Sequence, residues 1–249
     1  MLRQKNYKPG CIVRVDDTAS GELPDPKSDR VEQSTIVVNA GGQLKISPTA
    51  RIVNSSLTVA AGGSLTVGDW TTIQESKIVV YESASFAIGS NSSFIDSVAR
   101  VRRPEAVLSI GDRTRINRRC TFFVDTSVSI GDFCLFAADI LCTDSQVHSL
   151  DWKERRQEIM SWATGQNADS PFDSSNIRSA PLSIESDCWL GRGASILVAK
   201  AGNIEGLRIG RGCVVGAGAV VKDSLPELSL AVGVPAKVIR RLSEESSEF

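Results

Sequence analysis

The 249-residue sequence predicts an all-β chain wound as a parallel β-helix, and three observations carry that prediction. The first is a count of six. Ile184, Leu190, Ile209, Val215 and Val221 open blocks, the first four with a small residue four places later, at Cys188, Ala194, Cys213 and Ala219. Six is neither the helical period of about 3.6 nor simple alternation, so each block reads as a short strand plus a turn. The second is a longer period. Val38-Asn-Ala-Gly-Gly-Gln-Leu-Lys-Ile46 recurs 21 residues later as Val59-Ala-Ala-Gly-Gly-Ser-Leu-Thr-Val67, and again as Val80-Tyr-Glu-Ser-Ala-Ser-Phe-Ala-Ile88. Three sides of six with one extended corner make a triangular coil of that length. The third is the sixfold step inside the coils, from Val67 to Ile73 to Val79, Ile110 to Ile116 to Phe122, and Ile130 to Phe136 to Cys142.

Each element follows from where this count holds or fails. Residues 1–34 contain Leu-Pro-Asp-Pro and no clear period, and read as a cap on the open end. Residues 35–143 are coils, stacked about 4.8 Å apart, each pairing its backbone with the next and burying a column of aliphatics. The Gly-Asp, Gly-Ser and Gly-Arg pairs after Val67, Ile88, Ile110, Ile130 and Ile209 suit corners, where glycine tolerates positive φ. Residues 144–183 lose the count and read as a loop ejected from a corner; loops this long are uncommon and often functional. Inside it, Asp151-Trp-Lys-Glu154 has capping-box spacing, and Trp152, Ile159 and Trp162 fall on one face of a short helix. Residues 184–234 resume the coils, with a small irregularity marked by Gly202 and Gly206. Residues 235–249 read as a short C-terminal helix with Pro235 in its first turn, then a tail. The whole is one elongated domain.

Composition excludes several function classes. With 28 Lys and Arg against 29 Asp and Glu, nothing favours general nucleic-acid or membrane-surface binding. No stretch approaches the roughly 18 apolar residues of a membrane span, so membrane insertion is not expected and a cytoplasmic location is. Cys120, Cys134, Cys188 and Cys213 stand on small inward positions and Cys142 on an aliphatic one, which makes them core fillers rather than disulfides, metal ligands or nucleophiles.

The run Asp187-Cys-Trp-Leu-Gly-Arg-Gly-Ala, then Ile209-Gly-Arg-Gly-Cys-Val-Val-Gly-Ala-Gly-Ala-Val-Val, then Ala231-Val-Gly-Val-Pro-Ala-Lys-Val-Ile-Arg240, resembles the hexapeptide-repeat acetyltransferases. Within them the match is to galactoside, maltose and cell-surface polysaccharide O-acetyltransferases, over roughly Ile110 to Arg241. The resemblance implies a left-handed β-helix, a homotrimer with active sites between subunits, acetyl-CoA as donor and a carbohydrate hydroxyl as acceptor. The left hand comes from the resemblance alone, against the general preference for right-handed crossovers.

Acetyl transfer to a hydroxyl needs a base, because an alcohol attacks a thioester well only as its proton is removed. The chain has one histidine, His148, just inside the ejected loop. An imidazole, with its ordinary pKa of about 6.5, suits that task near neutral pH. The bland alternative is a surface histidine with no role, but the resemblance places the catalytic base at this corner, here one residue later than usual after Ile130-Gly-Asp. Asp144 and Asp151 flank it, and either could orient the ring. The resemblance further assigns Asn117 and Asp125 to the acceptor sugar, Leu135 to its pocket, and Trp189 as an aromatic face for a pyranose ring. Ala217 and Gly218 would line the pantetheine arm, and Lys237 and Arg240 would meet the CoA phosphates. Lys222 is shifted by one from the family's lysine, and Arg192 replaces a position that is often small, where it could contact CoA. Alternatives for these residues are corner hydrogen bonds, packing, subunit contact or a solvated face. No metal is expected, since one histidine per chain cannot build a multi-histidine zinc site. An N-acyltransferase of a nucleotide-linked amino sugar or an amino acid shares donor and base, and a non-catalytic structural β-helix is the remaining alternative. The additional N-terminal coils suggest a large acceptor, a capsule or lipopolysaccharide unit, lying along the helix.

Overall fold

Backbone amides spaced one coil apart pair in parallel along the coils from Ile12 to Val232, and the sequence repeat is the register of that pairing. The structure, a computed structural model, describes residues 2–4, 9–25, 28–164, 177–198 and 206–243. About nine coils stack and contribute strands to three sheets, of 10, 10 and 8 strands, parallel except for one antiparallel strand at an end of each 10-stranded sheet. Val38, Val59, Val80, Val101 and Val124 pair in succession on the first sheet. Ile46, Val67, Ile88, Ile110, Ile130, Ile184 and Ile209 do the same on the second. The 21-residue repeat thus puts like residues on top of one another. Val79 departs from the expected step: Ile78 and Val80 are buried, and Val79 faces outward.

The core is the interior of the triangle. Phe86, Phe94, Phe122 and Phe136 form a stack in mid-helix, with successive centroids 6.1, 5.8 and 6.0 Å apart. Such tilted and edge-on contacts are favourable for aromatic rings. Inward corner positions carry a hydrogen-bond ladder: Ser55, Ser76, Ser97 and Cys120 each donate a backbone N–H to the hydroxyl one coil earlier, at 3.0–3.2 Å. The cysteines continue such ladders, the thiols of Cys120, Cys134, Cys188 and Cys213 lying 3.0–3.2 Å from carbonyls of the following coil. They are buried free thiols that fill the core at the small inward positions their spacing marks. Burial pushes the Cys120 thiol up to about 11, which removes nucleophilic character at neutral pH.

The corner glycines act differently from expectation. Gly68, Gly89, Gly111, Gly131 and Gly210 are not in the left-handed region; that conformation falls two residues later, at Trp70, Asn91, Arg113, Phe133 and Gly212. What these glycines permit is close stacking: a Cβ on Gly131 would lie 2.5 Å from the Ser186 nitrogen of the next coil. Gly131→Ala therefore forces two backbones apart and should cost about 1–3 kcal/mol in urea unfolding, an overpacking penalty.

Both termini correct the sequence reading. Residues 1–34 do not merely cap. Ile12–Asp16, Ser20–Glu22 and Val31–Glu32 form a first coil in register with the second, and Leu2–Gln4 runs antiparallel across the exposed edge of the first sheet. Irregular corners and Gly21 at an aliphatic position hide this coil from the count. At the other end there is no helix over the described part of 235–249. Lys237–Arg241 is a strand, antiparallel to Ser229–Val232. The last parallel strand leaves its backbone groups unpaired, and satisfying that edge outweighs a modest helical propensity.

The insertion leaves between Leu141–Thr143 on the first sheet and Leu182–Ile184 on the second. Its ends are tied together: Ala180 N–H donates to Asp144 O at 2.9 Å and Gln146 N–H to Arg178 O at 3.0 Å. The second irregularity lies at the same corner one coil later; Gly206 opens the following strand, and Gly202 lies outside the described residues.

Candidate functional site

The segment carrying His148 is anchored by a buried polar network. Asp144, fully buried, accepts backbone N–H bonds from Asp125 and Thr126 at 2.8 and 2.7 Å, pinning the chain to the coil before. Arg102 grips the Asp125 carboxylate in bidentate fashion at 2.8 and 2.6 Å, reaches Ser145 Oγ at 3.2 Å and lies over the Phe123 ring. Ser145 Oγ in turn accepts from Val147 N–H at 3.2 Å. Val147 has φ of 62°, a strained conformation for a β-branched residue. Strain of this kind persists only where the surroundings impose it, and it often marks functional positions. It turns the next residue, His148, out to a half-exposed position.

His148 meets the inserted helix, α1, over Trp152–Ala163. Its Nδ1 is 2.7 Å from Oε1 of Glu158, which is only 3% exposed, and its ring stands edge-on to Trp162 with centroids 5.8 Å apart. Neither flanking aspartate orients the ring. Asp144 is committed to the coil below, and Asp151 caps α1 by accepting from Lys153 N–H at 2.8 Å. Arg155 Nη1 donates to Ser149 O at 2.7 Å, clasping the helix to the residue after His148. The helix occurs where the capping spacing predicts it, but Trp152, Ile159 and Trp162 are largely exposed and the buried side chain is Glu158.

Asp144 gives the network a pH signature. Burial, the largest influence, raises its carboxyl from 3.8 to about 6, against the backbone N–H bonds that lower it. A carboxyl raised on folding contributes stability that is fully present below about pH 4, its unfolded value, and lost as pH rises through the folded value. Wild type should therefore lose stability relative to Asp144→Asn as pH rises from about 4 to about 6, a trend that urea unfolding at three pH values checks.

The other candidate residues lie on different edges of the same chain. Asp125 shares the His148 corner one coil earlier, but its carboxylate is buried against Arg102. Asn117 sits at the corner between the third and first sheets, its Nδ2 donating to Phe136 O at 2.9 Å. Leu135 and Trp189 are paired neighbours on the third sheet, 41% and 51% exposed. Arg192, Ala217 and Gly218 share the third-to-first corner, where Gly218 N–H donates to Arg192 O at 2.8 Å and a Cβ on Gly218 would touch nothing within 4 Å. Arg192 is tied to Asp139 at 2.8 Å; Arg119, bonded to the same carboxylate, and then Arg192 hold it down to about 2. Lys222 is exposed, Lys237 stands 4.0 Å from Asp223, and Arg240 is exposed on the last strand. A surface groove bounded by Ser129, Gly131, Ser183, Glu185 and Arg211 lies on the remaining corner and includes no candidate residue. Among the described residues no group of three His, Cys, Asp or Glu could hold a metal ion, and no helix is long and apolar enough to cross a membrane.

Known proteins were compared with the chain in sequence and in fold. No protein-family model matches it. A Mycobacterium tuberculosis protein named a probable acetyltransferase is 32% identical over 149 residues, 59% of this chain and 42% of that protein. WbbJ of Escherichia coli (strain K12), named a putative lipopolysaccharide biosynthesis O-acetyl transferase, is 30% identical over 140 residues, 56% of this chain and 63% of WbbJ. The chain thus spans about half the length of the curated relatives it matches. The crystal structure of the polySia-specific acetyltransferase NeuO superposes with a TM-score of 0.58 at 20% identity, covering 94% of this chain and 93% of that one. In repeat, in fold and in sequence likeness, this chain is a left-handed β-helix protein similar to the hexapeptide-repeat acetyltransferases.

Proposed function

We propose that the protein is an acetyl-CoA-dependent O-acetyltransferase acting on a carbohydrate hydroxyl, of a cell-surface saccharide such as a capsule or lipopolysaccharide unit, with His148 as general base. The observation that carries this reading is the setting of the single histidine, which projects half-exposed from a strained turn with one ring nitrogen already held. Nε2 takes the proton of the acceptor hydroxyl as its oxygen attacks the thioester carbonyl carbon. The tetrahedral oxyanion collapses, the C–S bond breaks, and the CoA sulfur leaves with the proton returned from Nε2. A direct transfer fits the cysteine nearest the insertion in sequence, since Cys142 is fully buried and its thiol is pushed well above its ordinary value by burial.

Donor and acceptor residues enter the proposal with the geometry above. Ala217 and Gly218 leave a bare strip for a pantetheine arm; Arg192 at the same corner, and Lys222, Lys237 and Arg240 on the C-terminal strands and corners, would supply cations for a diphosphate. Asn117, Leu135 and Trp189 would complete the acceptor site, while Asp125 holds Arg102 and through it the His148 segment. These residues occupy different edges of one triangular chain, so a homotrimer with sites between subunits is the arrangement that would gather them. The exposed Leu150, Trp152, Ile159 and Met160 offer apolar surface for such a contact. A cytoplasmic location is proposed with the donor.

Acetyl-CoA incubated with a panel of mono- and polysaccharides tests the reading: acceptor-dependent thiol release is expected, and release indifferent to every saccharide would overturn it. Release with nucleotide-linked amino sugars alone would establish the N-acyl alternative, and binding of no acetyl-CoA would leave a structural β-helix.

A further inference from the structure

The helix that leaves the β-helix docks in an unusual way. Of its twelve residues the buried one is Glu158, while Trp152, Ile159 and Met160 are 58–62% exposed. A surface helix ordinarily buries its apolar stripe and leaves its carboxylates in water. A buried carboxylate is costly unless paired, and this one is paired with His148 Nδ1 at 2.7 Å. Trp162, one helical turn on, meets the ring edge-on with centroids 5.8 Å apart, and the Arg155 bond to Ser149 O clasps the helix beside the histidine. The docking surface of α1 is therefore built around the imidazole.

We propose that Glu158 is a positioning residue for the reaction, a role that rests on the reading of His148 as base. Its carboxylate accepts a hydrogen bond from Nδ1–H, which fixes the tautomer with the Nε2 lone pair free, the one form that can take a proton from a hydroxyl on that side. When Nε2 gains the acceptor's proton, the imidazolium is stabilised by the adjacent carboxylate, and the proton leaves with the CoA sulfur. The insertion is then part of the catalytic apparatus: the β-helix supplies the base and α1 supplies the group that makes it one.

The chain has a single histidine, so untagged protein labelled with 15N shows one imidazole, and two-bond 1H–15N correlations read which ring nitrogen bears the proton without any substrate. Wild type should show Nδ1–H in the neutral form. Glu158→Leu, which removes the acceptor with similar bulk, should move the proton to Nε2 and lower kcat by about 10- to 100-fold, the range found for carboxylates that orient metal-bound histidines, with KM for acetyl-CoA unchanged. Glu158→Gln, which keeps a neutral acceptor, should fall between wild type and Leu in both readouts. An unchanged tautomer, or a folded Leu variant with wild-type kcat, overturns the proposal. If His148→Ala is inactive in that case, the base assignment stands and only the role of Glu158 fails; if His148→Ala is active, the base assignment fails first.

Discussion

With His148 as the proposed general base, His148→Ala should lower acetyl transfer by about 10²- to 10⁴-fold, the range a general base contributes. The substitution is favourable for interpretation because His148 belongs to no core layer: it is half-exposed and touches Glu158 and Trp162 at the rim of the insertion. Its removal leaves a buried carboxylate without its donor, which should cost about 1–3 kcal/mol in docking α1. His148→Asn separates the two effects. An asparagine Nδ2 can still donate to Glu158, so the helix stays docked, yet an amide cannot accept the hydroxyl proton. Both variants should lose activity to a similar extent, and only Ala should lower the melting temperature. Recovery of substantial activity in Asn alone would mean that docking of α1, not proton transfer, is what the histidine supplies.

Phe94→Ala destabilises the protein by about 3–5 kcal/mol, the usual cost of emptying a large core site. Phe94 is fully buried, with Phe86 and Phe122 centroids 6.1 and 5.8 Å away on adjoining sides of the triangle. In a stacked repeat each coil touches only its neighbours, so a weakened interface mid-column lowers the coupling between the two halves as well as the total. Urea unfolding followed by tryptophan fluorescence should therefore change from one transition to two, because Trp70 lies on the N-terminal side of the cavity and Trp152, Trp162 and Trp189 on the other. A single transition with an unchanged midpoint would show that the phenylalanine stack does not couple the coils.

The stack and its register were readable because a β-helix writes its three-dimensional period directly into the chain: residues one coil apart, such as Val38 and Val59, are also neighbours in space. The cysteines were legible for the same reason, since a small inward position recurs whatever fills it. Local signals failed where the partner was an open edge. Pro235-Ala-Lys-Val-Ile-Arg-Arg suits a helix start, but the unpaired strand at Ser229–Val232 recruits it as a strand. The first coil is hidden because the corner between Glu22 and Val31 is longer than its counterpart and Gly21 stands where the next coil has Leu44. At the site, His148 stood out as the only histidine, and Asp151 marked the helix correctly. Glu158 did not stand out, because a glutamate on a polar helix looks like a solvated face until the helix doubles back over the preceding turn. Arg102 was equally silent, being one of many arginines until it is seen on Asp125.

The most direct measurement is the chemical identity of the product. After incubation with acetyl-CoA and the responsive saccharide, mass spectrometry should find one acetyl group added to the saccharide, removable by mild alkali or hydroxylamine as an oxygen ester, in wild type and not in His148→Ala. An acetyl group that resists hydroxylamine as an amide, or equal ester formation by His148→Ala, would contradict the account.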